Sequence, residues 1–405
     1  MRRMLLAIAI TATATTSSYA QRLGPEAKRP RLLADADTND ARSYYALGIQ
    51  QFERDAEKAA AAFYWAARIN PAWGEPMYAR RAALLMMEPF TLRQVMEGNR
   101  RTLESKEMRR LDSLQFRALM MNPFLYRKLD RQMFMAYIRG VASGGSRGEQ
   151  TPELEYAIEN YLRRAGDQMR GWLAYSDGDF SIALEAYKRA LDNSRDKAPI
   201  HLDRARIMSM QGHVDSAMAE FNNALVDMRK KDQKDLVIFY NSKALAEYSI
   251  GVLLEGADNT TGAREAYGRA LQEDLAYYPA HMRLGLLSLG LKDTTTAMSE
   301  LALAAQLAPD EPHVRYVNGW VLAASGHYTE AADELNKAVK LEPFYALPYL
   351  RLGQVTEHLG KAKESLDAYE HFLALSAATD PQRQMATERV TEIKEIIQAI
   401  SSSKP

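Results

Sequence analysis

The chain has 405 residues, 47% of them hydrophobic, and balances 52 Lys and Arg against 52 Asp and Glu. That balance gives no global pull toward nucleic acid or an anionic membrane. The chain contains no cysteine, which excludes disulfides, thiolate nucleophiles, cysteine-ligated metals and a lipid-anchored amino-terminal cysteine.

The first residues, MRRMLLAIAITATATTSSYA, are basic at Arg2 and Arg3, apolar from Met4 to Ile10, and small toward Ser18-Tyr19-Ala20. This order predicts a signal peptide over 1–20, cleaved after Ala20. The apolar run is well short of the roughly 20 residues that span a bilayer. The expected product is a periplasmic or secreted bacterial protein. Removing Arg2 and Arg3 leaves 50 basic against 52 acidic side chains, a formal −2. Residues 21–40, rich in Pro, Asp and Ala, read as a flexible arm.

From 41 to 163 the pattern is helical but diverged, with insertions. Tyr44, Leu47 and Gly48 mark one helix, and Ala59, Phe63 and Ala66 a second that ends at Asn70-Pro71. Residues 72–123 read as one further pair carrying an insertion at its turn. A third pair, 124–139 with 151–164, is split by GVASGGSRG. Between Arg93 and Arg139 there are 11 basic and 5 acidic residues, a local +6, and 8 of the 19 methionines lie in or beside this stretch. Flexible thioethers suit an adaptable apolar surface and also fill irregular cores. Arg100, Arg101, Arg109, Arg110, Arg127, Lys128 and Arg131 are the candidate basic secondary surface.

From 164 to 377 the pattern is regular. Gly171, Ala183, Tyr187 and Ala190 are followed by Ala205, Ala217, Phe221 and Ala224. A charged connection, VDMRKKDQKD, leads to Tyr240 and then Gly251, Ala263, Tyr267 and Ala270. Gly285, Gly319 and Gly353 are 34 residues apart, as are Ala297 and Ala331, Ala304 and Ala338, and Pro309 and Pro343. Small residues at these positions let two helix backbones approach closely, and each pair still exposes an apolar face for its neighbour. Pro381 near its first turn and a stripe of Ile393, Ile396, Ile397 and Ile400 predict a capping helix over 378–400. Residues 401–405 read as a disordered tail.

The 34-residue spacing resembles the tetratricopeptide repeat, well over 164–373 and weakly over 41–163. The resemblance implies an all-α solenoid, a right-handed superhelix of helical hairpins with an irregular amino-terminal half. It also implies a concave groove lined by first-helix side chains: Trp172 and Tyr175, Leu202 and Arg206, Tyr248 and Val252, Met282 and Leu286, His313, Tyr316 and Trp320, then Leu350, Gln354 and Glu357. Clamp-type relatives carry lysine and asparagine there; these are largely aromatic or aliphatic, which disfavours a carboxylate clamp. Tyr316 and Trp320 are four apart and share a helix face, where aromatic anchors are expected to hold a protein or peptide. The competing expectation is that some of these aromatics simply pack between neighbouring helices.

Catalysis is not expected. The seven histidines fall between His201 and His371 without ligand spacing, and HExxH, GxSxG and GxxxxGK[ST] are absent. Pairs such as Asp40 with Asp55, Glu311 with Glu334, or His213 with Asp215 read as caps and solvated faces. No metal, cofactor or nucleic acid is expected. The expected function is a non-enzymatic scaffold of the bacterial envelope or secreted space. The alternative is a structural or regulatory subunit assembled through the basic, Met-rich region, with peripheral envelope or membrane association.

Overall fold

The computed structural model describes residues 19–142, 152–232 and 242–402. The expected signal peptide apart from Tyr19 and Ala20, most of GVASGGSRG, the connection 233–241 with Tyr240, and residues 403–405 lie outside the described residues. Among the described residues every regular element is a helix. The short α1 (Tyr19–Arg22) precedes α2 (Ala41–Gln51) and α3 (Ala56–Ile69), an antiparallel pair. Next come α4 (Glu75–Met87), α5 (Pro89–Met96), α6 (Arg100–Leu103) and α7 (Lys106–Met121). Here α4 packs on α7 with α5 and α6 inserted between them, as the sequence predicts for 72–123.

α8 (Asp130–Ala142) packs against α9 (Pro152–Asp177), which is broken at Gly166, where φ is 74°. The later half of α9 pairs with α10 (Phe180–Asn193). Five further hairpins follow: α11 (Ala198–Met210) with α12 (Val214–Asp232), α13 (Lys243–Gly256) with α14 (Thr260–Glu273), α15 (Tyr278–Gly290) with α16 (Thr294–Leu307), α17 (Pro312–Ala324) with α18 (Tyr328–Leu341), and α19 (Ala346–His358) with α20 (Ala362–Leu375). The final helix, α21 (Arg383–Ser402), seals α20 and buries Ala386 and Ile393. Two boundaries differ from the sequence reading. VDMRKKD continues α12 to Asp232, and α21 runs through to Ser402.

The hairpin period has two physical requirements. One is a close crossing: a Cβ added to Gly319 would meet the Leu335 Cγ at 2.7 Å and the Ala331 carbonyl oxygen at 3.2 Å. The other is a left-handed residue at each turn. That position is Asp258, Lys292, Gly326 and Gly360, with φ of 58°, 63°, 83° and 71°. These four are 34 residues apart, and only the last two are glycine. The backbone N–H one residue further on closes each helix end, as when Asp293 donates to the Ser288 carbonyl and His327 to the Leu322 carbonyl, both at 2.9 Å.

The two halves close on each other. A single buried apolar cluster runs from Tyr19, Phe63, Tyr64 and Leu119 to Tyr248, Tyr277 and Ala280. Arg68 of α3 makes a bidentate pair with Glu342, 3.0 Å at each oxygen, although 274 residues separate them. Trp65 packs edge-on to Phe344 at 4.9 Å. Asn39 donates to the Ala374 carbonyl at 2.8 Å, and the Ala378 N–H donates to Asp37 at 2.6 Å.

The stretch 21–40 is therefore not loose. Arg80, 1% exposed, donates to the carbonyls of Leu23, Pro25 and Ala60. The Trp65 indole N–H donates to the Ala27 carbonyl at 2.9 Å. Arg29 donates to the Tyr44 hydroxyl and the Thr38 carbonyl, and lies over the Trp65 ring. This grip acts on backbone carbonyls, which Pro, Asp and Ala supply as well as any other residue.

Candidate functional site

The family-derived concave positions fall into an enclosed part and a partly open part. In the enclosed part, the Tyr175 hydroxyl donates to the Leu125 carbonyl, and Arg206 donates to the Pro123 carbonyl and to Asp203. Trp172 is partly buried; its indole N–H donates to Asp130 and its ring is edge-on to Phe134. Tyr248 is 1% exposed between Tyr267 and Tyr277, and burial pushes its hydroxyl above the ordinary range. The connection after α7 and the end of α7 itself thus fill the concave side there. Tyr248, expected as a principal contact, is reachable only if the chain's own residues move aside.

Between the halves a cavity of about 160 Å³ remains, lined among others by Met120, Met121, Tyr248, Met282, Arg283 and His313. Met282, read as a groove residue, faces this cavity. His313 meets the Tyr345 hydroxyl at 3.2 Å and stacks on Tyr316 at 6.1 Å. Burial, with a smaller push from the Arg283 charge, lowers the His313 imidazole to about 4. It is neutral at physiological pH and is a packing residue between α17 and the turn that carries Tyr345.

Beyond His313 the face is partly open. Tyr316, Trp320 and Gln354 all keep solvent exposure. Tyr316 lies edge-on to Tyr345 at 5.5 Å, and the Arg351 guanidinium sits over the Trp320 ring at 5.8 Å. Arg351 also donates to the Gln354 side-chain oxygen at 2.9 Å. An aromatic ring, a planar cation and an amide thus share one surface of α17 and α19.

The basic residues are split in the same way. Arg127 donates to Asp203 at 2.8 Å, Lys128 lies over the Tyr45 ring, and Arg131 pairs with Asp177. Arg127 and Lys128 serve internal packing, whereas Arg131 makes its pair at the surface. Arg100 pairs with Glu104 one turn away, while Arg101, Arg109 and Arg110 are exposed on the surface. Met108 and Met133 are buried, so part of the methionine set is core filling.

The polar pairs within the hairpins are architectural. His201 with Glu220, His281 with Glu300 and Arg315 with Glu334 each bridge two helices across 19 residues, at 2.6, 2.7 and 2.9 Å. His281 is raised above its ordinary value, chiefly by its bond to Glu300. Among the described residues no group of three or more His, Cys, Asp or Glu could hold a metal ion. Among them also, no helix is long and apolar enough to cross a membrane.

The sequence did not point to Arg68, Arg117 and Glu342, buried charges that with Glu311 fasten the two halves, or to Arg80, which holds residues 23–25. Glu311, read with Glu334 as a cap or solvated face, is instead 2% exposed, because it pairs with Arg22 and Arg117. The available signal was an arginine on an otherwise apolar face, as in FYWAARI, where Arg68 follows Trp65 by three.

Stacked antiparallel hairpins with glycine crossings make this an α-solenoid. Residues 169–233, 248–312 and 316–380 match the tetratricopeptide repeat model. Among curated proteins it is similar to human anaphase-promoting complex subunit 5, 22% identical over 207 residues, which are 51% of this chain and 26% of that protein. It is also similar to the small glutamine-rich tetratricopeptide repeat-containing protein 2 of Mycosarcoma maydis, 25% identical over 131 residues, 32% of this chain and 36% of that one. The alignments thus span about a quarter to a third of these relatives. Among solved structures, YrrB, described as a TPR protein with an unusual peptide-binding site, aligns with TM-score 0.40 and 19% identity over 51% of this chain and 98% of its own. MamA aligns with TM-score 0.36 and 18% identity over 42% and 93%.

Proposed function

We propose that the protein is a non-enzymatic scaffold of the bacterial envelope or secreted space. It holds a peptide or protein segment against the open concave surface at Tyr316, Trp320 and Gln354. One observation carries the reading: the fold already holds a non-helical segment, residues 23–29, by its backbone carbonyls, through Arg80 and the Trp65 indole. Trp320 beside Arg351 and Gln354 offers the same chemistry, an aromatic ring flanked by donors, with exposure left for a second segment.

The test is partner binding by folded variants. Partners cross-linked in the native envelope fraction are identified, and their affinity is measured with Trp320→Ala and with Arg100→Ser/Arg101→Ser. A buried aromatic anchor is worth at least about 2 kcal/mol, roughly thirtyfold in Kd. Loss only in the Trp320 variant supports the groove. Loss only in the arginine variant transfers binding to the amino-terminal half. Export is read from the mature terminus: a chain beginning at Gln21 or its cyclised form supports it, and intact Met1 in the cytosol rejects it. Cleavage there removes Tyr19, which is fully enclosed in the structure and lies beneath the Arg117 guanidinium.

A further inference from the structure

α7 presents Arg110, Ser113 and Arg117 at positions i, i+3 and i+7, one stripe of the helix. With Gln21 and Arg22 of α1 these residues line an open pocket of about 550 Å³. Three guanidinium groups line it, and Glu311 is bonded to two of them, at 3.1 Å from Arg22 and 2.8 Å from Arg117. The nearby Asp112 is engaged by Arg81, at 2.8 and 3.0 Å. Arg110 spends one donor on the Gln21 carbonyl at 3.3 Å and is otherwise exposed.

Arg117 is the distinctive member. It is 5% exposed, yet its Nε and Nη1 have no hydrogen-bond partner. A buried donor left unmade costs about 1–3 kcal/mol, more for a charged group. Burial opposes its charge, but Glu311 outweighs burial and holds the guanidinium protonated. Arg80 adds a further cation nearby: burial, opposed by Tyr64 and helped by the charge of Arg110, pushes it down to about 10, still charged at neutral pH. The pocket therefore has excess positive charge, accessible donors on Arg110 and Arg22 and room for a small anion, while the two unpaired Arg117 nitrogens are shut off from solvent.

We propose that this pocket is a phosphate site, taking inorganic phosphate or the phosphoryl group of a small molecule. Arginine suits this ligand because its planar fork matches two phosphate oxygens at once. A phosphate here bridges residues 21–22, α7 and, through the shared arginines, Glu311 of the carboxy-terminal repeats. It would fasten the amino-terminal segment to the closed form. The proposal does not depend on which partner occupies the Trp320 surface.

The experiment is calorimetric titration of the full chain with inorganic phosphate, at fixed ionic strength in chloride, with melting temperature followed in parallel. Saturable one-to-one binding and a rising Tm are expected. Arg110→Gln removes an exposed side chain and should weaken binding at least about tenfold, the loss of one charge-assisted bond. Ser113→Glu places a carboxylate in the pocket and should abolish binding. Arg109→Gln, exposed on the same helix outside the pocket lining, should leave it unchanged. Phosphate-free Tm close to wild type in each variant verifies folding. Glycerol phosphate and phosphatidic acid vesicles distinguish the two sources: Arg110-dependent binding of the soluble compound assigns a free phosphoryl ligand, and Arg110-dependent binding to vesicles alone assigns a lipid headgroup. No saturable binding at millimolar phosphate overturns the proposal. Equal loss in the Arg109 and Arg110 variants overturns it too, since that is charge screening without a site.

Discussion

Arg68→Met tests how the molecule is closed. In the native protein the Glu342 side chain is 0% exposed and meets both arms of Arg68 at 3.0 Å; one of its oxygens also accepts the Phe344 N–H at 3.2 Å. Methionine keeps the stem that packs near Trp65 and Phe344 but strands the carboxylate. Removing one partner of a buried pair costs about 3–5 kcal/mol. Protonation of the carboxyl sets a ceiling on the charge part of that cost. pH 7 lies 2.5 above the ordinary carboxyl value of 4.5, so neutralising an ordinary carboxylate there takes about 3.4 kcal/mol. At pH 5 the same step takes only about 0.7 kcal/mol. The sign follows from the direction of the shift. Burial already raises Glu342 despite Arg68, so the folded state binds this proton more tightly than the unfolded chain. Its contribution therefore worsens as pH rises through the unfolded value. Urea unfolding followed by circular dichroism should show a loss of about 3–4 kcal/mol at pH 7, shrinking to about 1 at pH 5. The double variant Arg68→Met/Glu342→Leu should recover most of it. A loss below about 1 kcal/mol at pH 7, or one that does not change with pH, would refute the buried-pair account.

Three further outcomes follow from the hairpins and the groove. Gly319→Leu should cost about 1–3 kcal/mol or more, because the first added carbon already lies 2.7 Å from Leu335; tolerance without loss in thermal unfolding would sink the close-crossing argument. Lys292→Gly should stabilise by up to about 1 kcal/mol, since Lys292 holds φ of 63° where its neighbours one and two periods later are glycine; a Tm unchanged or lowered goes against it. His313, lowered to about 4 by burial, binds its proton more weakly folded than unfolded. Its contribution should therefore be lost as pH falls from about 6.5 toward 4, up to about 3 kcal/mol, and His313→Gln should flatten that segment of the stability–pH curve.

The regular hairpins were legible because a hairpin is a local object. A glycine facing Leu335, alanines at the crossing and a proline after each pair repeat every 34 residues, and each acts within its own hairpin. The insertion in 72–123 was legible for the same reason: FRALMMNP ends α7 much as WAARINP ends α3, and PFTLRQVM fits neither helix of a pair. The left-handed turn was only half visible, because Asp258 and Lys292 fill a position that Gly326 and Gly360 announce elsewhere. The closure was not legible. Arg68 in WAARINP and Glu342 in KLEP each look like an ordinary helix end, and nothing in either segment refers to the other. The role of residues 23–29 was hidden more deeply, since Arg80 and Trp65 hold carbonyl oxygens that every residue carries.

Closure changes what a concave aromatic face means. An occupying segment on the same chain competes at an effective concentration in the millimolar range, so a partner aimed at Tyr248 or Arg206 must overcome that advantage before it gains any contact. Trp320 and Gln354 escape this competition because they keep solvent exposure, which is a stronger reason to place a partner there than their aromatic and amide character alone. The fastening charges add a second constraint. Buried ion pairs add little net stability compared with apolar packing, but misplacing one leaves a stranded charge. Arg68 with Glu342, and Arg117 with Glu311, therefore penalise any slipped docking of the two halves. The apolar cluster supplies the attraction, and these pairs select one register. A ligand held by Arg110 and Arg22 beside the Arg117–Glu311 pair would act on that register rather than on the groove.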